Sequence, residues 1–130
     1  MKKQEIPRPT EGELELLGIL WDRGPSTVRD LFEAVNEKRD VVYTGVLKLM
    51  QIMTAKGLVA RDESERAHVY RAAVSQEETE LRFLRELSNR FFAGSGAQLA
   101  MRALEMESSS EAELDAIRRL IAKKQAVQAG

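Results

Sequence analysis

The sequence predicts a mainly α chain with one small antiparallel β-hairpin, and three observations carry that prediction. Four times a hydroxyl stands three residues before a carboxylate: Thr10–Glu13, Thr27–Asp30, Ser75–Glu78 and Ser110–Glu113. In that pattern the two side chains cap each other's free backbone N–H groups at a helix start. Amphipathic stripes with helical spacing follow, such as Val28, Leu31, Phe32 and Val35 at i, i+3, i+4 and i+7. The one departure is a pair of short strand-like runs, Leu58-Val59-Ala60-Arg61 and Ala67-His68-Val69-Tyr70-Arg71, separated by a charged turn near Asp62-Glu63-Ser64-Glu65.

Taken in order, helix one is expected over Glu11–Arg23, burying Leu14, Leu17 and Trp21 with Leu20 alongside, and ending at Gly24-Pro25. The spacing of Trp21 makes it a core residue whose indole N–H reaches a carbonyl rather than a ligand-stacking group. Helix two is expected over Val28–Lys38. Helix three, Tyr43–Lys56, turns Val46, Leu49, Met50 and Met53 inward and stops at Gly57, the residue type suited to a left-handed cap. After the hairpin, helix four is expected over Gln76–Phe92. Gly94-Ser95-Gly96 breaks it, a short helix five follows, and Ser108-Ser109-Ser110 links to helix six.

This order suggests two domains, 1–74 and 75–130. The three later helices, about 55 residues, are too small to enclose a core alone. Their apolar positions, Leu81, Leu84, Leu87, Phe91, Leu99, Leu104, Leu114, Ile117 and Ile121, are therefore expected to meet a second copy of the chain. Packing back on the first domain is the alternative.

The totals narrow the function. A net charge of −1 argues against a uniformly basic nucleic-acid binder. Its distribution matters more: residues 41–61 contain no acid but include Lys48, Lys56 and Arg61. A local positive field is thus compatible with the near-neutral sum. The absence of cysteine removes disulfides and thiolate chemistry and fits a reducing, cytoplasmic setting. No apolar run is long enough for a membrane span, and no leader pattern stands at the start. His68 is the only histidine, so a packing or hydrogen-bonding role is expected for it rather than metal ligation. No phosphate-cradling loop follows a strand, and no nucleophile has a base, so no enzyme, metal or cofactor is expected.

Projected at 100° per residue, helix three points Thr44, Lys48, Gln51 and Ala55 away from the core, with Gly45, Leu47 and Ile52 on the flanks and Tyr43 at the entry. Thr, Lys and Gln can each address base edges in a major groove. Arg61, Arg66 and Arg71 of the hairpin could hold flanking phosphates, opposed by Asp62, Glu63 and Glu65. A helix leading into a charged hairpin is the layout of a winged helix-turn-helix DNA reader followed by a helical dimerisation region.

The quoted order resembles the penicillinase-repressor and methicillin-resistance-repressor (BlaI/MecI-type) family. The likeness rests on residues 9–15, 20–29, Tyr43-Thr44-Gly45-Val46-Leu47, Lys56-Gly57-Leu58-Val59 and Arg66-Ala67-His68-Val69-Tyr70-Arg71-Ala72. The resemblance implies a homodimeric repressor on an inverted-repeat operator in double-stranded DNA, with helix three in the major groove. It places Tyr43, Thr44 and Lys48 at DNA-facing positions. Gly45 stands where many relatives carry threonine, and Ile52 where they often carry arginine, which implies a different operator. The family's Asn-Phe cleavage bond aligns with Met101-Arg102-Ala103-Leu104, and the cysteine pairs of its copper-responsive branch are missing. The releasing signal is therefore open at this point: proteolysis at another bond by a regulatory protease, an unrecognised ligand, or a partner such as an antirepressor. The competing expectation is a winged-helix protein-interaction module that binds no DNA.

Overall fold

The computed structural model describes residues 6–130, which form six helices and a three-stranded sheet. In chain order these are α1 (Glu11–Arg23), β1 (Ser26–Thr27), α2 (Val28–Asn36), α3 (Tyr43–Lys56), β2 (Val59–Asp62), β3 (Val69–Ala72), α4 (Gln76–Phe91), α5 (Gly96–Met106) and α6 (Glu111–Ala129). The chain divides into two compact units, with the division between Leu81 and Arg82, inside α4.

The capping pattern does what its chemistry allows. Reciprocal boxes form at Thr10–Glu13, Thr27–Asp30 and Ser110–Glu113, and the Glu78 N–H donates to the Ser75 hydroxyl at 3.0 Å. A fifth cap went unforeseen: Ser95 accepts from the Gln98 N–H at 3.1 Å and starts α5. Helix α2 ends at Asn36, two residues before the expected Lys38. At the end of α3, Gly57 takes the left-handed conformation (φ 84°) and donates its N–H to Met53 and Thr54 carbonyls. A side chain there would be strained.

The hairpin of β2 and β3 pairs antiparallel, Val59 with Ala72 through Asp62 with Val69. The sheet gains a third strand that the sequence hides. Ser26 and Thr27 pair antiparallel with Tyr70 and Val69, giving the order β1-β3-β2. Two residues between a Gly-Pro turn and a helix start are too few to show alternation. The extended conformation an N-cap requires (Thr27 φ −82°, ψ 166°) also suits a strand, so Thr27 serves both roles.

The core of the first unit joins Leu16, Leu17 and Leu20 of α1, Leu31 and Val35 of α2, and Val46, Met50 and Met53 of α3 with Leu58, Val59 and Tyr70 of the hairpin. Leu14, expected inside, is half-buried. The phase of α1 turns Leu16 inward instead, together with Glu13, which is only 1% exposed. That buried carboxylate receives the Lys56 ammonium from the far end of α3 at 2.8 and 3.0 Å. Trp21 is half-buried against the core, and its indole N–H donates to the Val74 carbonyl at 3.0 Å.

The second unit, Arg82–Gly130, contributes no residue to the buried hydrophobic core among the described residues. Leu84, Leu87, Phe91, Leu104 and Ile121 are exposed, Phe91 to 67%, while Leu99, Leu114 and Ile117 are half-buried. Leu81, at the end of the first unit, is exposed as well. The helices form, and among the described residues much of their apolar surface stays uncovered.

Candidate nucleic-acid interface

Helix α3 owes its outer face to the demands of its inner one. Burying Val46, Met50 and Met53 fixes its rotation and leaves Thr44, Gly45, Lys48, Gln51 and Ile52 exposed. Lys48 has no ion-pair partner among the described residues, whereas the neighbouring cations Arg39 and Lys56 are bound to Glu15 and Glu13. Tyr43 stands at the edge of this face. Its ring meets Phe32 of α2 edge-on, with centroids 5.7 Å apart and planes at 73°, and the Arg29 guanidinium lies 5.9 Å from the Phe32 centroid. Phe32 therefore sets the position of Tyr43. Its place in the stripe of α2 showed only that it faces inward.

The start of α3 differs from the starts of its neighbours. Its N-cap is Val42, which offers no side-chain hydrogen bond, and no acid stands in the first turn. The N–H groups there lack the carboxylate and hydroxyl that close α1 and α2. The positive end of the helix dipole is thus open to an outside anion.

The wing carries the three arginines differently. Arg61 pairs with Glu63 and lies beside its cross-strand neighbour Tyr70, and contact with the Tyr70 hydroxyl, more than the Glu63 charge, holds its pKa above the usual arginine value. Arg66 and Arg71 are exposed and have no ion-pair partner among the described residues. The turn's acids are partly occupied inside the wing. Asp62 accepts the Ser64 N–H at 2.9 Å, which keeps its carboxyl below the ordinary carboxylate value, with Arg71 adding a smaller pull. The strand-like run expected to include His68 is shorter than its pattern, because β3 begins at Val69, and the packing or hydrogen-bonding role expected of His68 is not met among the described residues. His68 is therefore an exposed residue of the turn, while Tyr70 is buried.

Between the wing, the start of α2 and the first turns of α3 lies a cleft of about 230 Å³. Arg29, Tyr43, Leu47, Arg66 and His68 line it, and no carboxylate does. The meeting of Arg29 with His68 is not legible in the sequence, because it depends on β1 pinning the start of α2 against β3. Among the described residues no group of three or more His, Cys, Asp or Glu side chains is placed to hold a metal ion. No helix among them is long and apolar enough to cross a membrane.

Known proteins resemble this chain in sequence and in fold. Residues 9–123 match the family described as penicillinase repressor. The transcriptional regulator BlaI of Mycobacterium tuberculosis (strain ATCC 25618 / H37Rv) is 32% identical over 119 residues, spanning 88% of this chain and 85% of that protein. The methicillin resistance regulatory protein MecI of Mammaliicoccus sciuri is 20% identical over 115 residues, 88% of this chain and 94% of that one. The solution structure of the DNA-binding domain of the repressor BlaI superposes with a TM-score of 0.52 at 14% identity, covering 58% of this chain and 93% of that chain. Bacillus licheniformis BlaI, solved as a monomeric form in complex with the blaP half-operator, gives 0.50 at 15% identity, covering 57% and 90%. These two structures establish the winged-helix fold. The match along residues 9–123 and the 32% identity to a regulator of similar length place this chain in the penicillinase repressor family, a family of transcriptional repressors and not of enzymes.

Proposed function

We propose that the chain is a cytoplasmic, homodimeric transcriptional repressor that reads an inverted-repeat operator with α3 in the major groove. The observation that carries this reading is the outer row of α3. Thr44, Lys48 and Gln51 are exposed, Lys48 has no partner among the described residues, and the segment from residue 41 to 61 holds no acid. Thr44 and Gln51 are suited to base edges, and Lys48 to guanine acceptors or a phosphate. Gly45, on the same turn, presents backbone instead of a side chain. The first turn of α3, free of side-chain caps, and the wing arginines Arg66 and Arg71 supply phosphate contacts. Arg61 stiffens the wing through Glu63 and contributes less.

Residues 1–74 form the DNA-binding domain in this reading, and residues 75–130 the dimerisation domain. The exposed apolar faces of the latter, Leu84, Leu87, Phe91, Leu104 and Ile121, meet their counterparts in a second copy. Leu81, Leu99, Leu114 and Ile117 complete the contact. Two-fold pairing places two copies of α3 on symmetric half-sites, which is why the operator is an inverted repeat. Release from DNA comes from a signal other than cleavage of the family's Asn-Phe bond: proteolysis at another bond, an unrecognised ligand, or a protein partner such as an antirepressor. The chain of BlaI solved on the blaP half-operator supports the reading by fold.

The experiment is a titration of the purified chain against the DNA upstream of its own gene over a range of salt concentrations. The proposal predicts two chains per site and an affinity that falls steeply with salt. A protein-interaction module would give neither a shifted fragment nor a salt slope.

A further inference from the structure

The cleft between the wing and the start of α2 is chemically unlike two others among the described residues. One beside α1 and the α2–α3 turn is lined by Glu15, Arg39 and Asp40, and another by Glu15, Asp22, Arg23 and Lys38. The cleft at the wing brings together Arg29 from α2 and Arg66 and His68 from the turn, without any acid in its lining, in a chain with 21 acids. Among the described residues Arg66 and His68 have no hydrogen-bond or ion-pair partner. Arg29 gives its Nε to Glu33 at 3.1 Å, an exposed pair on the same helix, which leaves its two terminal nitrogens available. Thr27, also in the lining, donates its N–H to the Asp30 carboxylate and accepts the Asp30 N–H at its hydroxyl oxygen. Tyr43 closes the side toward α3 and offers a hydroxyl.

Two guanidinium groups around an opening of this size, with an imidazole and a phenol beside them, suit one singly charged, multi-oxygen anion. Tyr43 and Leu47 lie one helical row from Thr44 and Lys48, so a duplex contacting that outer row runs past the cleft mouth. We infer that this cleft is the seat of one backbone phosphodiester of the bound operator, held by Arg29 and Arg66 with the His68 ring and the Tyr43 hydroxyl as further hydrogen-bonding groups. The inference rests on the proposed use of α3 and adds to it a phosphate clamp built from α2 and the wing together.

The test uses the full-length chain and a duplex selected by that chain from a random pool. Wild type, Arg29→Gln/Arg66→Gln and Lys38→Gln are compared by fluorescence anisotropy over a salt series. Lys38 serves as the control because it is an exposed cation at a different cleft. Each lost phosphate contact lowers the slope of log K against log salt by about 0.9. The double variant, which gives up one phosphate, should therefore lose about 0.9 of slope with its ranking of duplex sequences intact, while Lys38→Gln stays at wild type. A double variant indistinguishable from Lys38→Gln overturns the clamp and leaves the α3 reading standing. A wild-type chain that retains no duplex overturns both. If inorganic phosphate saturably shifts the His68 ring signals while the double variant binds DNA like wild type, the cleft holds free anions and the operator clamp is refuted.

Discussion

The Lys56 ammonium donates to both oxygens of the Glu13 carboxylate, at 2.8 and 3.0 Å, joining the first turn of α1 to the last turn of α3. Glu13 is 1% exposed, while the Lys56 side chain keeps 28% of its surface in solvent. The same carboxylate also accepts the Thr10 N–H at 2.9 Å. One side chain thus caps α1 and fixes the end of the helix proposed to enter the groove. Removing one partner of such a pair strands the other. Glu13→Gln should lower unfolding free energy by about 2 kcal/mol, read from urea denaturation, and a double cycle with Lys56→Met should return a coupling on the order of 1 kcal/mol.

The same pair makes a pH prediction. Burial pushes the Glu13 carboxyl up, but the Lys56 ammonium and the Thr10 backbone N–H together outweigh it and hold the group below its ordinary value of 4.5. A carboxyl lowered by folding contributes stability that is complete above its unfolded value and lost as pH falls through its folded value. The stability difference between wild type and Glu13→Gln should therefore be constant from pH 7 to about 5 and shrink below that. A difference that grows on acidification would contradict the assignment.

Trp21 ties α1 to the strand end after β3 through its bond to the Val74 carbonyl. Trp21→Phe keeps most of the ring and drops the donor, so a loss of about 1 kcal/mol is expected. The measurement is a denaturation midpoint followed by circular dichroism, because Trp21 is also the chain's one tryptophan fluorophore.

Gly45 is a cost the fold does not require. It lies inside α3 and is exposed, and an added Cβ would meet nothing within 4 Å. Gly45→Ala should raise stability by roughly 0.5–1 kcal/mol through helix propensity alone. A destabilised variant would show that α3 needs glycine there for a reason internal to the fold.

Much of this architecture is legible in the sequence because local chemistry agrees with the tertiary fold. The bounds of α3 follow from its stripe and from Gly57, and its outward row follows from the inward one. The caps at Thr10, Thr27 and Ser110 are readable because each motif is contained in four residues. What escaped depends on distant partners. Strand β1 exists only because β3 offers it an edge. Glu13 reads as a cap until Lys56, 43 positions along, arrives over it. Phe32 under Tyr43, and Arg29 beside Arg66 and His68, are likewise products of packing rather than of spacing.

The apolar faces of α4–α6 make a prediction about assembly. Leu84→Glu with Ile121→Glu places two carboxylates on surfaces that the single chain leaves exposed. Under the proposed dimer, wild type should sediment as two chains and the variant as one, with helical content unchanged. A monomeric wild type at tens of micromolar would contradict the assigned role of these helices.

The most direct test of the central claim is operator affinity of Thr44→Ala/Lys48→Ala against wild type. Both side chains are exposed on α3 and away from its core, so circular dichroism and dimer mass should not change. If α3 reads the groove, affinity falls at least tenfold, since each good base contact is worth about 1–3 kcal/mol. Unchanged affinity in a folded, dimeric variant would contradict the account.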